Sequence, residues 1–185
     1  MFTYPITIHH IYISPGHNYF GHQPDQIGTH PTADVDEVQA IAEKGLQGDR
    51  FFGVRPNFDG QVTFFSFEVF RLLVDEIGPE SLAPSALRRN IIVQGMPLNQ
   101  LIGHDFTILW EKGRVDFRGA RHCHPCRWMD LAAAQGALKF LKGRGGLRAQ
   151  LLSDGLIQKG DATLTTRHEL NLQSITTPLA RPRLP

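Results

Sequence analysis

Turn chemistry cuts this chain into short pieces, and no other feature limits its fold as strongly. Gly, Pro and small polar residues return about every 8 to 12 residues in places, between brief runs of β-branched and aromatic residues, as in barrels and sandwiches. Residues 5–13, 61–65, 91–93, 105–110, 114–117, 147–152, 156–158 and 162–167 read as strands. Residues 34–42 fit either period, and the glycines that follow at once favour a strand. Lys112-Gly113 marks a hairpin, and Ser153-Asp154-Gly155 a turn between two strands. One helix is clear: Ser66 caps it, Glu68 sits in its first turn, and Phe70, Leu73, Val74 and Ile77 share one face before Gly78-Pro79. Pro84 to Leu87 reads as one helical turn, and Met129 to Ala134 and Ala137 to Leu141 as short helices broken at Gly136. There is no βαβ rhythm and no repeat. The expectation is a mainly β chain with a few helices (α+β), one domain over residues 1–168. A poorly ordered C-terminal tail is expected over 169–185, with Pro178, Pro182 and Pro185.

Residues 15–34 carry no period and form a long loop. About 20 residues is unusual inside a compact domain, and such loops often have a task. Apolar residues make up 41% of the chain and twelve are Phe, enough for a core without disulfide staples. The chain's two cysteines, two residues apart, are no secretory framework. No signal-peptide pattern opens the chain, and no apolar run approaches the roughly 18 residues of a membrane span. A reducing, cytoplasmic setting without membrane partners is expected. The net charge of +1 supplies no global field for nucleic acid.

The chemistry concentrates in Arg121-His122-Cys123-His124-Pro125-Cys126-Arg127-Trp128-Met129-Asp130, which holds both cysteines. A cysteine works as its thiolate, and nearby cations favour that form. Cys126 follows Arg118 and Arg121 and adjoins Arg127. Pro125 stiffens the approach, and a helix beginning just after would set Cys126 near its positive end. Cys126 is therefore expected to be the working atom. An inert core cysteine is the plain alternative. Cys123-x-x-Cys126 also fits a redox pair, although a thioredoxin-like βαβ context is missing. With His122, His124 and an N-terminal histidine (His9, His10, His17, His22 or His30) it also fits a small zinc site.

Further motifs stand in a telling order. Gly45-Leu46-Gln47-Gly48-Asp49-Arg50, Gln61-Val62-Thr63, Arg88-Arg89-Asn90-Ile91-Ile92-Val93-x-Gly95 and Pro125-Cys126 are followed by Gly143-Arg144-Gly145-Gly146-Leu147 and Asp154-Gly155-Leu156-Ile157-x-x-Gly160-Asp161. Over about residues 5–166 this order resembles the MOSC domain, the C-terminal domain of molybdenum-cofactor sulfurases, in its stand-alone bacterial form. The resemblance implies a mostly β fold built around a barrel and a role with the molybdenum cofactor (molybdopterin). It implies that Cys126 ligates molybdenum or carries sulfur as a persulfide. It implies that Arg50, Arg88 and Asn90 hold the cofactor; Arg89 stands where relatives have proline, so the local backbone is expected to differ. The reductase version would act on N-hydroxylated bases or amidoximes, with electrons from a flavin or iron–sulfur partner protein. The carrier version would receive sulfur from a pyridoxal-phosphate cysteine desulfurase. Guanidinium forks suit a phosphate and a soft thiolate suits a sulfur-rich metal. A non-catalytic barrel that binds a phosphorylated small molecule or a protein remains open beside these readings. So does an Asp49–Arg50 ion pair that only holds a turn.

Overall fold

Eleven strands and three short α-helices follow in this order among the described residues: β1 Phe2–Ile13, β2 Ala33–Asp34, β3 Glu37–Ile41, β4 Gly45–Leu46, β5 Val62–Ser66, α1 Phe67–Glu76, β6 Ile91–Gln94, β7 Asp105–Trp110, β8 Gly113–His122, α2 Trp128–Ala132, α3 Ala137–Phe140, β9 Leu147–Leu151, β10 Gly155–Gln158 and β11 Gly160–Thr166. The structure is a computed structural model and describes residues 1–23 and 26–180. The main sheet runs β11-β7-β8-β9-β5-β6-β1-β2, and β11 pairs back onto β1, so seven strands close a barrel and β2 lies outside the ring. Closure leaves those seven strands no free edge. Strands β10, β3 and β4 form a small second sheet. No helix among the described residues is long and apolar enough to cross a membrane.

Strand alternation feeds two cores. In β5, Phe64 points into the barrel and Phe65 outward; in β6, Ile91 and Val93 point in and Ile92 out. Inside, Phe64, Phe106 and Phe117 meet with ring centroids 5.1–5.9 Å apart. Each such ring contributes about 1.5–3 kcal/mol by burial. Outside, Phe65 and Ile92 meet Val69, Phe70 and Leu73 of α1 and Trp128, Met129, Ala137 and Leu141 near α2 and α3. Both faces of β5 are covered, so all five of its residues are buried, the polar Thr63 and Ser66 included.

Several sequence expectations shift here. Strands β5 and β6 pair in parallel across α1, so one βαβ crossover exists in a chain whose pattern showed no such rhythm. Ser66 caps α1 as expected, accepting from Val69 N at 3.2 Å. The turn at Ser153–Asp154 joins β9 and β10, but they do not pair: β9 lies between β8 and β5, and β10 turns to β3. The hairpin loop is Glu111-Lys112, one residue earlier than expected, and β8 runs on to His122. Residues 169–180, expected as a tail, lie against the barrel. Leu170 is buried and its N donates to the Tyr4 hydroxyl at 2.7 Å, while Arg144 Nε donates to Thr176 O at 2.9 Å. Residues 181–185 of the expected tail lie outside the described residues.

Candidate functional site

The cysteine stretch leaves the end of β8 and is pinned to the Gly145-Gly146 corner before β9. Cys123 N donates to Gly146 O at 2.8 Å, and Gly145 N donates to His122 Nε2 at 3.0 Å. A Cβ on Gly145 would fall on the Cys123 carbonyl, and one on Gly146, at φ 97°, on Phe64 O. Arg89 Nε donates to Gly145 O at 3.0 Å from the third side. The Arg-Arg-Asn, Gly-Arg-Gly-Gly and Pro-Cys motifs, far apart in sequence, thus meet at one joint.

His122 is buried, and accepting the Gly145 proton fixes Nε2 as its unprotonated nitrogen. Burial, with His124 and Arg89 nearby, pulls its pKa down to about 4, so it is a neutral structural group. Cys123 is 4% exposed and Cys126 is exposed; both are free. Cys126 O accepts from Met129 N at 2.9 Å, at the start of α2. That helix has only five residues, so the dipole expected to act on Cys126 is short.

Both thiols line a cavity of about 620 Å³, of the size that takes a cofactor. Four arginines share its wall, Arg50, Arg88, Arg89 and Arg148, and no carboxylate does among the described residues. These are not the cations expected from sequence proximity. Alternation along β8 turns Arg118 outward, and a register shift between Gly119 and Arg121 turns Arg121 outward too; Arg118 pairs with Asp105 at 2.6 Å and Arg121 with Asp59 at 2.5 Å. Asp59 also approaches Arg148 at 3.4 Å.

Arg50 reaches the cavity from a tight turn. Asp49 is buried and accepts from Ser14 N, Phe51 N and Arg50 Nη1 at 3.1–3.3 Å. The Asp49–Arg50 pair therefore holds a turn, and the guanidinium still faces the cavity. Burial, joined by Arg88 and Arg89 and opposed by Asp49 and Cys123, lowers the Arg50 pKa to about 10; it stays charged at neutral pH. Arg88 takes the left-handed backbone, φ 54°, rare for a residue with a Cβ. Its guanidinium donates to Thr32 Oγ1 at 3.2 Å and Gly16 O at 3.0 Å, and burial lowers its pKa too. Arg50 lies 4.7 Å over the Phe51 ring and Arg88 5.6 Å over that of Tyr19. Rings thus cover guanidinium faces, while hydrogen bonds to Asp49, Arg88 O, Thr32 and Gly16 O hold their terminal nitrogens in place.

Asn90 does not belong to this wall. It is 1% exposed, its Oδ1 accepts from Thr63 N and Oγ1 at 3.1 and 2.8 Å, and its Nδ2 donates to Tyr12 O at 3.1 Å. It ties β1, β5 and β6 together beneath the cavity. Its side chain is spent on hydrogen bonds within the barrel and is not part of the cavity wall, where a direct contact with a cofactor was expected.

The sequence reading offered His17 only as a zinc ligand and assigned no ring to the site. His17, Tyr19 and Phe20 come from the long loop whose length signalled a task, and Phe51, Phe58 and Trp128 complete the apolar wall. Tyr19 and Trp128 lie 5.2 Å apart and Phe51 and Phe58 5.4 Å. Burial beside Arg50 and Arg88 lowers the His17 pKa. Other N-terminal histidines are used locally: His9 stacks on Phe67 at 4.0 Å, His10 pairs with Asp34 at 2.6 Å, and His22 bonds His17 O at 3.0 Å. Among the described residues no three His, Cys, Asp or Glu groups are gathered as a zinc site of the expected kind needs.

No curated protein sequence matches the chain. Its fold is similar to solved structures: the YuaD protein from Bacillus subtilis (TM-score 0.68, 18% identity, 88% of this chain and 96% of that one) and YiiM from Escherichia coli (TM-score 0.60, 16% identity, 95% and 76%). YiiM from Geobacillus stearothermophilus is also similar (TM-score 0.61, 14% identity, 88% and 76%). The family model described as MOSC domain matches residues 26–163, a span that contains the barrel's β5 to β9, both cysteines and all four cavity arginines. With most of its length so matched and its barrel closed as that resemblance implied, the chain belongs to the MOSC domain family.

Proposed function

We propose that the cavity binds the molybdenum cofactor, with Cys126 meeting its sulfur- and metal-bearing end. The observation that carries this reading is one wall holding four guanidiniums, five aromatic rings and two thiols, with no carboxylate among the described residues. That set fits the group's chemistry. Arg50 and Arg88, backed by rings, suit the phosphate. Phe51, Phe58, Tyr19 and Trp128 suit a flat heterocycle. An exposed thiolate suits molybdenum. When bound, the group would supply a centre able to take an oxygen atom from an N-hydroxylated base or amidoxime. This chain's residues would bind and orient it and screen its charge. Electrons would come from a flavin or iron–sulfur partner protein, because two cysteines cannot hold a cluster.

The exposure of Cys126 favours a second reading, a sulfur carrier. Its thiol would accept a persulfide from a cysteine desulfurase in the cytoplasm and present it to the cofactor. Either role makes Cys126 the catalytic residue, Arg50 and Arg88 binding residues, and Asn90 a positioning residue.

Metal and sulfur analysis of protein purified from cofactor-producing cells tests the reading. Stoichiometric molybdenum and phosphorus, with molybdenum lost in Cys126→Ser, supports the ligand role. Cyanide-labile sulfur on Cys126 supports the carrier role. Wild-type protein with neither would overturn the proposal.

A further inference from the structure

Neither the ligand nor the carrier role of Cys126 uses Cys123. It is buried, yet it belongs to neither apolar core and instead faces the cavity that Cys126 lines. Its backbone is fixed on both sides, by its N–H to Gly146 and by Gly145 packed against its carbonyl. Residues 123–126 lie outside helix and strand, so the link from Cys123 to Cys126 carries no regular hydrogen-bond ladder. Cys126 is exposed and Cys123 is buried, three positions apart in sequence, and both line the same cavity.

We propose that Cys123 is a resolving thiol for Cys126, and that the site discharges sulfur through an internal Cys123–Cys126 disulfide. The inference rests on the reading of Cys126 as the group that meets sulfur. When Cys126 carries an outer sulfur, as a persulfide or a mixed disulfide with a small thiol, the Cys123 thiolate attacks Cys126 Sγ. The bond from Cys126 to the outer sulfur breaks and the Cys123–Cys126 bond forms. The outer sulfur leaves with the electron pair and takes a proton from water, as hydrogen sulfide or a free thiol. The cysteine pair is oxidised by two electrons as the leaving sulfur is reduced, so no outside oxidant is needed. A thioredoxin-class dithiol protein returns the pair to two thiols and is itself oxidised. Geometry sets the order: the exposed Cys126 takes the incoming group, and the buried Cys123 can reach only a sulfur already delivered to the cavity.

Oxidised glutathione is a suitable probe. The reduced full-length chain is incubated with it without oxygen, and intact mass and released glutathione are followed. Wild type is expected to lose two hydrogens per chain and hold no adduct. Cys123→Ser is expected to stop at one glutathionyl group on Cys126, and Cys123→Ala repeats this if serine disturbs the buried site. Cys126→Ser is expected to stay unmodified. A stable wild-type adduct, or modification of Cys126→Ser as fast as wild type, would overturn the proposal. Molybdenum and phosphorus content separates this result from the cofactor reading. An internal disulfide in a chain that binds no cofactor sinks only that reading, and cofactor binding without a disulfide sinks only this one.

Discussion

Asn90 and His122 show how single residues at this site act through others. Asn90 satisfies Thr63 and Tyr12 in the dry space between three strands. Asn90→Ala removes those bonds and leaves buried groups unpaired, which costs about 2–4 kcal/mol. The unfolding free energy from denaturant titration should fall by that amount, with Arg50 and Arg88 still in place as side chains. His122 gives a pH signature. Its folded pKa, about 4, lies below the ordinary 6.5, so the unfolded chain binds the proton more tightly. Its contribution is complete above about pH 6.5 and is lost as pH falls toward the folded value, about 3 kcal/mol by pH 4. His122→Gln should flatten that limb of the stability–pH curve; an unchanged slope would show that the ring is not held neutral. Cys126, Arg50 and Arg88, marked by local motifs in the sequence, all lie on the cavity wall. The other groups on that wall were not legible, because Arg89, Arg148 and His17 come there only through folding, while Arg118 and Arg121, the sequence neighbours of Cys126, turn away to Asp105 and Asp59.

At the level of elements, α1 was legible because cap, acidic first turn, apolar face and stop agree. Ser66→Ala should cost about 1 kcal/mol, read from the denaturation midpoint. Glu68 adds a tie the period could not reveal: its carboxylate accepts from both the Ser66 hydroxyl and Gly95 N at 2.7 Å, which joins the helix to the end of β6. The parallel pairing of β5 with β6 escaped the sequence reading because both strands were seen as separate short runs and α1 as packing only. The Gly145-Gly146 corner matters more for the site. Gly145→Ala places a methyl on the Cys123 carbonyl and must push the cysteine segment outward. In the wild-type chain a small thiol reagent should modify Cys126 rapidly and Cys123 slowly. In Gly145→Ala the two rates should converge. If Cys123 stays protected in that variant, the corner does not hold the segment.

For the whole molecule, barrel closure was expected only through family resemblance, since turn spacing alone does not distinguish barrel from sandwich. Closure has a functional consequence. It sets the cysteine loop, the Arg88-Arg89 corner and the long loop around one opening, although they lie up to about a hundred residues apart in sequence. The rings of that long loop could not be assigned beforehand because aromatic residues in a loop carry no period. The resulting wall makes a salt-sensitive prediction, because exposed parts of a guanidinium–phosphate contact are screened by ions. Equilibrium binding of purified molybdopterin, followed by pterin fluorescence, decides whether this wall is a cofactor site. Saturable binding to the wild-type chain is expected, weaker at high salt and at least about tenfold weaker in Arg50→Gln and in Arg88→Gln, a loss of about 1.4 kcal/mol each. Equal affinity in wild type and both variants, or no binding by a folded wild-type chain, would contradict the cofactor reading.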